Sequence, residues 1–490
     1  MEFAMKSVQQ YMKSVQQYID ETPTWEDRTP VADTPMTLMQ WRIFLLAAAG
    51  KFFEGMTVFM TGVALPLVAQ EFNISAAEKG MVGAATLFGI LIGATALGGL
   101  SDKFGRKPMF IFEMAIFTVF LILTTFSPNF PFLIVCLFGM GVALGCDYPT
   151  AHLVISESIP SRARGRLVLS AFGFQAVGAM AGTLLGFLIL RGSESIADWR
   201  WMYGAAIVPA LVVTLGRFFI PRSSHWLMVQ GRVDEAKLAL KQLLGRLPPY
   251  PKSIDLHDPH AENHKGKAHY GKLFSKKNRR ATWLAAIPWF LQDLGTYGIG
   301  IFTPIILTTA IGAKHSDERN LAEIFHNDIL AAKGAFMIDI LLIVGIIVAI
   351  VLADRVGRIK LQIWGFIGCA VGLFIAAMST FTGGGTQVIL IFAGFMLFNF
   401  MTNMGPNSMT YLLAGEVFPT KIRGMGAGFA ASFAKMGAVL TAFLFPILLK
   451  DIGTAPLLFI LVGTSLLGAF VTWKLQIETK GRNLETIGMD

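Results

Sequence analysis

The sequence predicts an all-α membrane protein whose twelve transmembrane helices form two pseudo-symmetric six-helix bundles. Three observations predict it. Hydrophobic residues make up 54% of the 490 and charged residues only 15%, whereas a soluble chain carries about 25% charge. Apolar runs long enough to cross a hydrocarbon core, which takes about 20 residues, recur along the chain. Two long loop motifs of the first half return in the second at nearly the same spacing.

Residues 1–40 are polar and contain a direct repeat, MKSVQQY at Met5–Tyr11 and again at Met12–Tyr18. This stretch reads as a duplicated start and carries no fold argument. The apolar run that begins at Trp41 is too long for a cleavable signal peptide. From there the runs fall at 42–69, 80–100, 108–127, 131–156, 166–190, 200–220, 281–310, 334–353, 361–381, 386–413, 424–449 and 454–475. Each closes its own backbone hydrogen bonds, as lipid demands. The hydrophilic stretch 221–280 splits them six and six. The expected division is a tail at 1–40, a first bundle at 41–220, a cytoplasmic linker at 221–280, a second bundle at 281–476 and a tail at 477–490.

Orientation follows from Lys and Arg. The loops holding Lys103–Lys107, Arg162–Arg166, Arg355–Lys360 and Lys421–Arg423, and the whole of 221–280, are basic; the alternate loops near 128, 192, 315 and 383 are short or nearly free of positive charge. The positive-inside rule then puts both termini and the linker in the cytoplasm, in a plasma (bacterial inner) membrane. The net charge of +9 is accounted for by topology, so nucleic acid is not expected as a partner, and membrane lipid is. Cys136, Cys146 and Cys369 lie inside apolar runs, which leaves no disulfide framework or CxxC site. No P-loop, nucleophile elbow or metal-ligand helix is present. The expectation is neither an enzyme nor a cofactor protein, and a monomer, since each chain already contains both halves.

The repeat is long. GGLSDKFGRK and LADRVGRIK share D-[KR]-x-G-R, with Asp102 and Asp354 separated by 252 positions; ESIPSRARG and EVFPTKIRG share E-x-x-P-x-x-x-R-G, with Glu157 and Glu416 separated by 259. Parallel repeats of this kind place a substrate site at their interface near the bilayer midplane, with alternating access by rocking of one half on the other. Asp102 with Arg106, Glu157 with Arg164, and the counterparts Asp354 with Arg358 and Glu416 with Arg423, are expected to form charge-assisted gating pairs across the helix ends.

An ionisable residue at mid-bilayer costs at least ~2.5–3.5 kcal/mol on insertion scales, so each needs an explanation. Glu54, Asp147, Asp293 and Lys435 lie deepest, followed by Glu113, His152 and Asp339. In the seventh run Trp289, Asp293 and Tyr297 fall at i, i+4 and i+8, which stacks an indole, a carboxyl and a phenol on one helical face. The fourth run adds Asp147 and Tyr148 before Pro149, which loosens the local backbone ladder. Gln175, Asn403, Asn407 and Lys435 supply further polar groups. Tyr148 lies nine residues before Glu157 and Asn407 nine before Glu416, so two residues chosen for polarity are equivalent by the repeat.

The loop motifs, IETKGRNLETIG near the C-terminus and WLMVQGRVDEA at 226–236 resemble the major facilitator superfamily, within its sugar-porter-like branch. More narrowly, GCDYPTAHLVISE, FGFQAVGAMAG, WFLQDLGTY, GPNSMTYLLAGEVFPTKIRG and FAKMGA resemble the fungal and plant proton-coupled inorganic phosphate symporters. The resemblance implies a substrate site of Tyr148, Gln175, Trp289, Asp293, Tyr297, Asn407 and Lys435. One departure concerns the first helix, where that family carries two acids in FFTDxYDxF. Here KFFEGMTVF keeps the first as Glu54 and has Thr57 for the second, so proton coupling rests on Asp147, Asp293 and Glu54.

The function these residues imply is symport of inorganic phosphate with protons. A carboxylate beside an anion suffers like-charge repulsion unless protonated, and protonated Asp293 donates a hydrogen bond instead. Proton and anion then favour each other's binding. The alternative is a proton-coupled carrier of organic anions or other organic ions, because the EGMT stretch resembles the D-G-x-D helix of aromatic-acid carriers. A sugar porter fits less well on this reading, since the seventh run lacks paired glutamines for sugar hydroxyls. His257, His260, His264 and His269 in LHDPHAENHKGKAH read as a solvated linker and not as a metal site.

Overall fold

The computed structural model describes residues 14–20, 36–97, 100–193, 195–245, 254, 256, 270–312, 321–419 and 422–480. Among the described residues twelve helices are long and apolar enough to span a membrane: α1 Leu38–Phe72, α2 Ala76–Thr95, α3 Arg106–Thr125, α4 Phe130–Ser158, α5 Arg166–Gly192, α6 Asp198–Phe218, α7 Arg279–Thr308, α8 His326–Val356, α9 Arg358–Phe381, α10 Gly384–Glu416, α11 Arg423–Asp451 and α12 Thr454–Leu475. Among the described residues there is no β-strand.

Local chemistry explains several boundaries. α1 begins at a capping box in which Thr37 Oγ1 accepts from Gln40 N at 3.2 Å and Gln40 Oε1 accepts from Thr37 N at 2.8 Å. α2 loosens into a π-helical turn at Gly93–Leu97, where Cys146 Sγ approaches Gly93 O at 3.6 Å. α10 breaks at Gly405, because Pro406 has no N–H to continue the ladder. The Asn403 carbonyl freed near that break accepts from Ser408 Oγ.

The packing repeats between halves. α1 lies on α5 as α7 lies on α11, α2 on α4 as α8 on α10, α3 on α4 as α9 on α10, and α6 on α3 as α12 on α9. The halves meet through α2 with α11, α5 with α8, and α1 with α7. Lipid-facing positions such as Phe112, Val135, Trp201, Val212, Trp364, Phe374 and Trp473 are exposed, as an apolar solvent allows.

Two polar stretches hold more structure than expected. Val15–Asp20, which begins in the second copy of the duplicated start, is helical and buries Val15, Tyr18 and Ile19; their i, i+3, i+4 spacing makes one apolar face. The linker contains helices Ser224–Val229 and Val233–Leu244. The second buries Ala236, Ala239, Leu240, Leu243 and Leu244, and Thr37 Oγ1 donates to Leu243 O at 2.7 Å, which ties it to the start of α1.

Candidate functional site

At the centre of the interface between the halves four helices bring polar side chains together. On α1, Lys51 and Glu54 share a face at i, i+3, with Lys51 Nζ 2.5 Å from Glu54 Oε2. The other oxygen of Glu54 accepts from Tyr297 Oη of α7 at 3.0 Å and lies 3.3 Å from Lys435 Nζ of α11. Gln175 Nε2 of α5 donates to Tyr297 Oη at 2.9 Å. Lys435 Nζ is 2.5 Å from Tyr297 Oη and stands 4.3 Å from the ring centroid. Asp293, one turn before Tyr297, is 3.5 Å from Lys435, and its Oδ2 has no hydrogen-bond partner. Glu54, Asp293, Tyr297 and Lys435 are all buried.

A second buried pair lies deeper in the first half. Arg217 of α6, fully buried, donates to Asp147 Oδ1 of α4 at 2.5 Å, to Phe110 O at 2.6 Å and to Leu46 O at 3.1 Å, and it stacks 3.5 Å above the Phe110 ring. A Cβ at Gly50 would collide with the Asp147 carboxylate, so α1 passes close by only because position 50 has none. Beside the pair, Thr150 Oγ1 donates to Glu113 Oε1 at 2.9 Å.

Aromatic side chains close the site toward the basic loops. Tyr411 of α10 stacks on Phe172 of α5, centroids 4.5 Å apart, and takes Trp289 edge-on at 6.1 Å and His152 at 6.4 Å. The space left between Lys51, Glu54, Asp147, His152, Phe172 and Tyr411 is about 20 Å³, room for one water. In this conformer the centre is shut.

The expected site residues fall into three groups. Gln175, Asp293, Tyr297, Lys435 and Glu54 are brought together. Asp147 is engaged by Arg217, Trp289 belongs to the aromatic floor, and Asn407 donates to Asn403 Oδ1 at 2.6 Å within α10. The side chain of Tyr148 lies outside the described residues. Lys51, Arg217 and Tyr411 were missed by sequence reasoning. The signal for Arg217 was the one used for the others, a charge within an apolar run.

The loop motifs assemble around two glutamates, one in each half. Arg106 reaches Glu157 at 3.2 Å, and Ser223 Oγ lies 2.5 Å from the other oxygen of Glu157. Arg358 reaches Glu416 at 3.1 Å and Asp354 at 2.9 Å, and Thr479 Oγ1 lies 2.5 Å from Glu416 Oε2. The pairing of Asp354 with Arg358 is therefore present, while Glu416 is held by Arg358, and Arg423 Nε donates to Phe418 O at 3.1 Å. The side chains of Asp102 and Arg164, and His257, His260, His264 and His269, lie outside the described residues. Among the described residues no group of His, Cys, Asp and Glu is arranged to hold a metal ion.

With this geometry in hand, likeness to known proteins is informative. Residues 11–490 match the family model described as "Sugar (and other) transporter". The inner membrane metabolite transport protein YgcS of Escherichia coli is 29% identical, over 93% of this chain and 95% of that protein. The glucose transporter GlcP of Staphylococcus epidermidis is 27% identical, over 92% of this chain and 97% of that one. Among solved structures, the E. coli xylose transporter XylE, described as a proton:xylose symporter of the major facilitator superfamily, superposes with a TM-score of 0.72 at 20% identity, covering 92% of this chain and 98% of that one.

These matches overturn the expected phosphate symport and its organic-anion alternative. The family is one of sugar (and other) transporters, and the characterised relatives carry glucose or xylose by name. The physical reason lies in the site. Lys51 and Lys435 face Glu54 and Asp293, two cations against two acids, so no excess positive charge awaits an anion. The groups that resembled a phosphate site, a tyrosine, a glutamine and a protonatable acid, hydrogen-bond hydroxyls equally well. Nor does the absence of paired glutamines on α7 argue against sugar, because Gln175 of α5 reaches the α7 tyrosine. The chain is a multi-pass membrane protein with the fold of transporters, not of enzymes, and with the family model matched over nearly its whole length it belongs to the sugar (and other) transporter family.

Proposed function

We propose that the protein is a proton-linked carrier of a small, neutral, hydroxyl-rich solute, a sugar or polyol, working by alternating access of its two six-helix halves. One observation carries the reading: a charge-balanced, hydrogen-bonded cluster built from both halves, with Lys51, Glu54 and Gln175 from the first and Asp293, Tyr297 and Lys435 from the second. The printed activities of the relatives, glucose and xylose transport, support the class of cargo. Solute hydroxyls replace the contacts that the cluster now makes with itself, and Tyr148, Trp289 and Asn407 are proposed to add to the binding of the solute.

A proton arriving on Asp293 or Glu54 removes one acid from Lys435 and frees its ammonium to donate to a hydroxyl. Proton and solute then favour each other's binding, which is the requirement for symport. Asp147 sits behind this site, held by Arg217, and serves proton movement through the aromatic floor. The loop-end groups Asp102, Arg106, Glu157 and Arg164, with Asp354, Arg358, Glu416 and Arg423, gate the basic-loop side. The bundles at 41–220 and 281–476, joined by 221–280, move as the two halves of a monomer. The basic loops and both termini face the cytoplasm in a bacterial inner membrane, where the relative YgcS is placed by name.

The test is uptake of radiolabelled glucose, xylose and myo-inositol into proteoliposomes under an imposed inward proton gradient. The expected result is accumulation of at least one of them, abolished by a protonophore. Absence of uptake for all three, or uptake indifferent to the protonophore, overturns the reading.

A further inference from the structure

Asp339, in the middle of α8, is a buried carboxyl that the central cluster does not use. Its Oδ1 accepts from Asn399 Nδ2 of α10 at 3.1 Å, and its Oδ2 lies 3.2 Å from Thr183 Oγ1 of α5. α5 belongs to the first half and α8 to the second, so this contact crosses the seam along which the halves move.

The facing groups are otherwise uncharged. From α5 the group is Thr183; from α10 it is Asn399, with Asn403 one turn on donating to Leu342 O at 2.8 Å. The charged groups of α1 and α7 at this level, Lys51, Glu54 and Asp293, are engaged in the cluster around Lys435. α9 carries its charges, Arg358 and Lys360, at its loop end, and Lys333 on α8 itself is exposed. Among the described residues, the side chains hydrogen-bonded to Asp339 are Thr183 and Asn399.

Burial places a proton here. The Thr183 hydroxyl has one, and two carbonyls of its own helix are within reach, Ala179 O at 3.2 Å and Met180 O at 3.1 Å. Back-donation of this kind is usual for a helical threonine. Turned to a carbonyl, Thr183 Oγ1 accepts from a protonated Asp339; turned to Asp339, it donates to Oδ2. A neutral Asp339 satisfies every partner, whereas an ionised one would be a buried charge without a cation, which a membrane interior penalises.

We propose that Asp339 is a second proton-binding site, whose proton ties α8 to α5 and holds the two halves in the closed conformer described here. The proposal rests on the alternating-access reading but not on which solute is carried. Loss of the proton at higher pH leaves a buried charge without a cation at the seam, and the halves part to hydrate it. Asp339→Asn, which accepts from Asn399 and donates to Thr183 as the neutral acid does, locks the tie at every pH.

The experiment measures the distance between spin labels at Phe126→Cys and Phe381→Cys, exposed positions at the ends of α3 and α9, by electron–electron resonance on purified protein without added solute. The native cysteines are buried, so the introduced pair takes the label. In the parent, the long-distance population is expected to grow about threefold or more between about pH 6 and about pH 9, while Asp339→Asn stays at short distance at both. A parent indifferent to pH, or a variant that titrates within a factor of about two of the parent, overturns the proposal. Because no solute is present, failure of sugar uptake would leave this result standing.

Discussion

In the first half Arg106 reaches Glu157, which meets the hydroxyl of Ser223; in the second Arg358 reaches Glu416, which meets Thr479. Even the turns agree, with Gly105 at φ 97° and Gly357 at φ 103°, a backbone that favours glycine. The centres of the halves diverge. The first half locks its deep acid, Asp147, to an arginine that makes two further hydrogen bonds to backbone. The second leaves Asp293 with one loose contact at 3.5 Å, to a lysine shared with Glu54 and Tyr297. Symmetry is kept at the loop ends, where the same pairs recur, and lost at the centre, where the first half clamps its acid and the second holds its own loosely.

The comparison predicts opposite phenotypes for removing the two cations. Arg217→Leu leaves Asp147 buried without a partner, an imbalance worth about 3–5 kcal/mol for a broken buried pair. The expected outcome is loss of most folded protein, seen by size-exclusion profile and thermal unfolding in detergent. The double change Arg217→Leu with Asp147→Asn recovers much of that loss. A stable single variant would show that the first-half pair is not structural.

Lys435→Met is expected to fold, since Glu54 keeps Lys51 and Tyr297 as partners and Asp293 is able to take a proton. Its uptake falls about 100-fold, the scale of losing about 2.7 kcal/mol from the transport step. Proteoliposome uptake beside the same unfolding measurement checks it. Transport surviving this change would move the mobile charge elsewhere.

The fold was legible because its signals are local: run length, loop charge and motifs contained within ten residues. The latches were half legible. Arg106, Glu157, Arg358 and Glu416 announce themselves by repetition, but Ser223 and Thr479 come from beyond α6 and α12, and nothing in an isolated hydroxyl predicts that reach. At the centre, polarity inside apolar runs found Glu54, Gln175, Asp293, Tyr297 and Lys435. The cargo was misread because a phosphate oxygen and a sugar hydroxyl ask for the same donors and acceptors. What separates them is net charge across the assembled site, and that depends on Lys51, which lies within an apolar run and acquires its role only once α1 and α11 face each other.

One small asymmetry of the latches makes the finest test. Glu478, just before Thr479, accepts from the backbone N–H groups of Arg358 at 3.1 Å and Ile359 at 3.2 Å, capping the start of α9. At the corresponding place before Ser223 the first half has Arg222, which pairs with Glu235 at 3.2 Å, and the turn at Gly105 is covered by the Trp226 ring. A carboxylate at a helix start stabilises through the unsatisfied N–H groups and the helix dipole. Glu478→Ala is therefore expected to cost about 0.5–2 kcal/mol, the range of a lost cap, lowering the thermal midpoint by a few degrees. Arg222→Glu, which offers the same cap to α3 but gives up the pair with Glu235, changes stability by less than about 1 kcal/mol, since exposed pairs are worth little. Equal responses at the two positions would mean that the halves are capped alike.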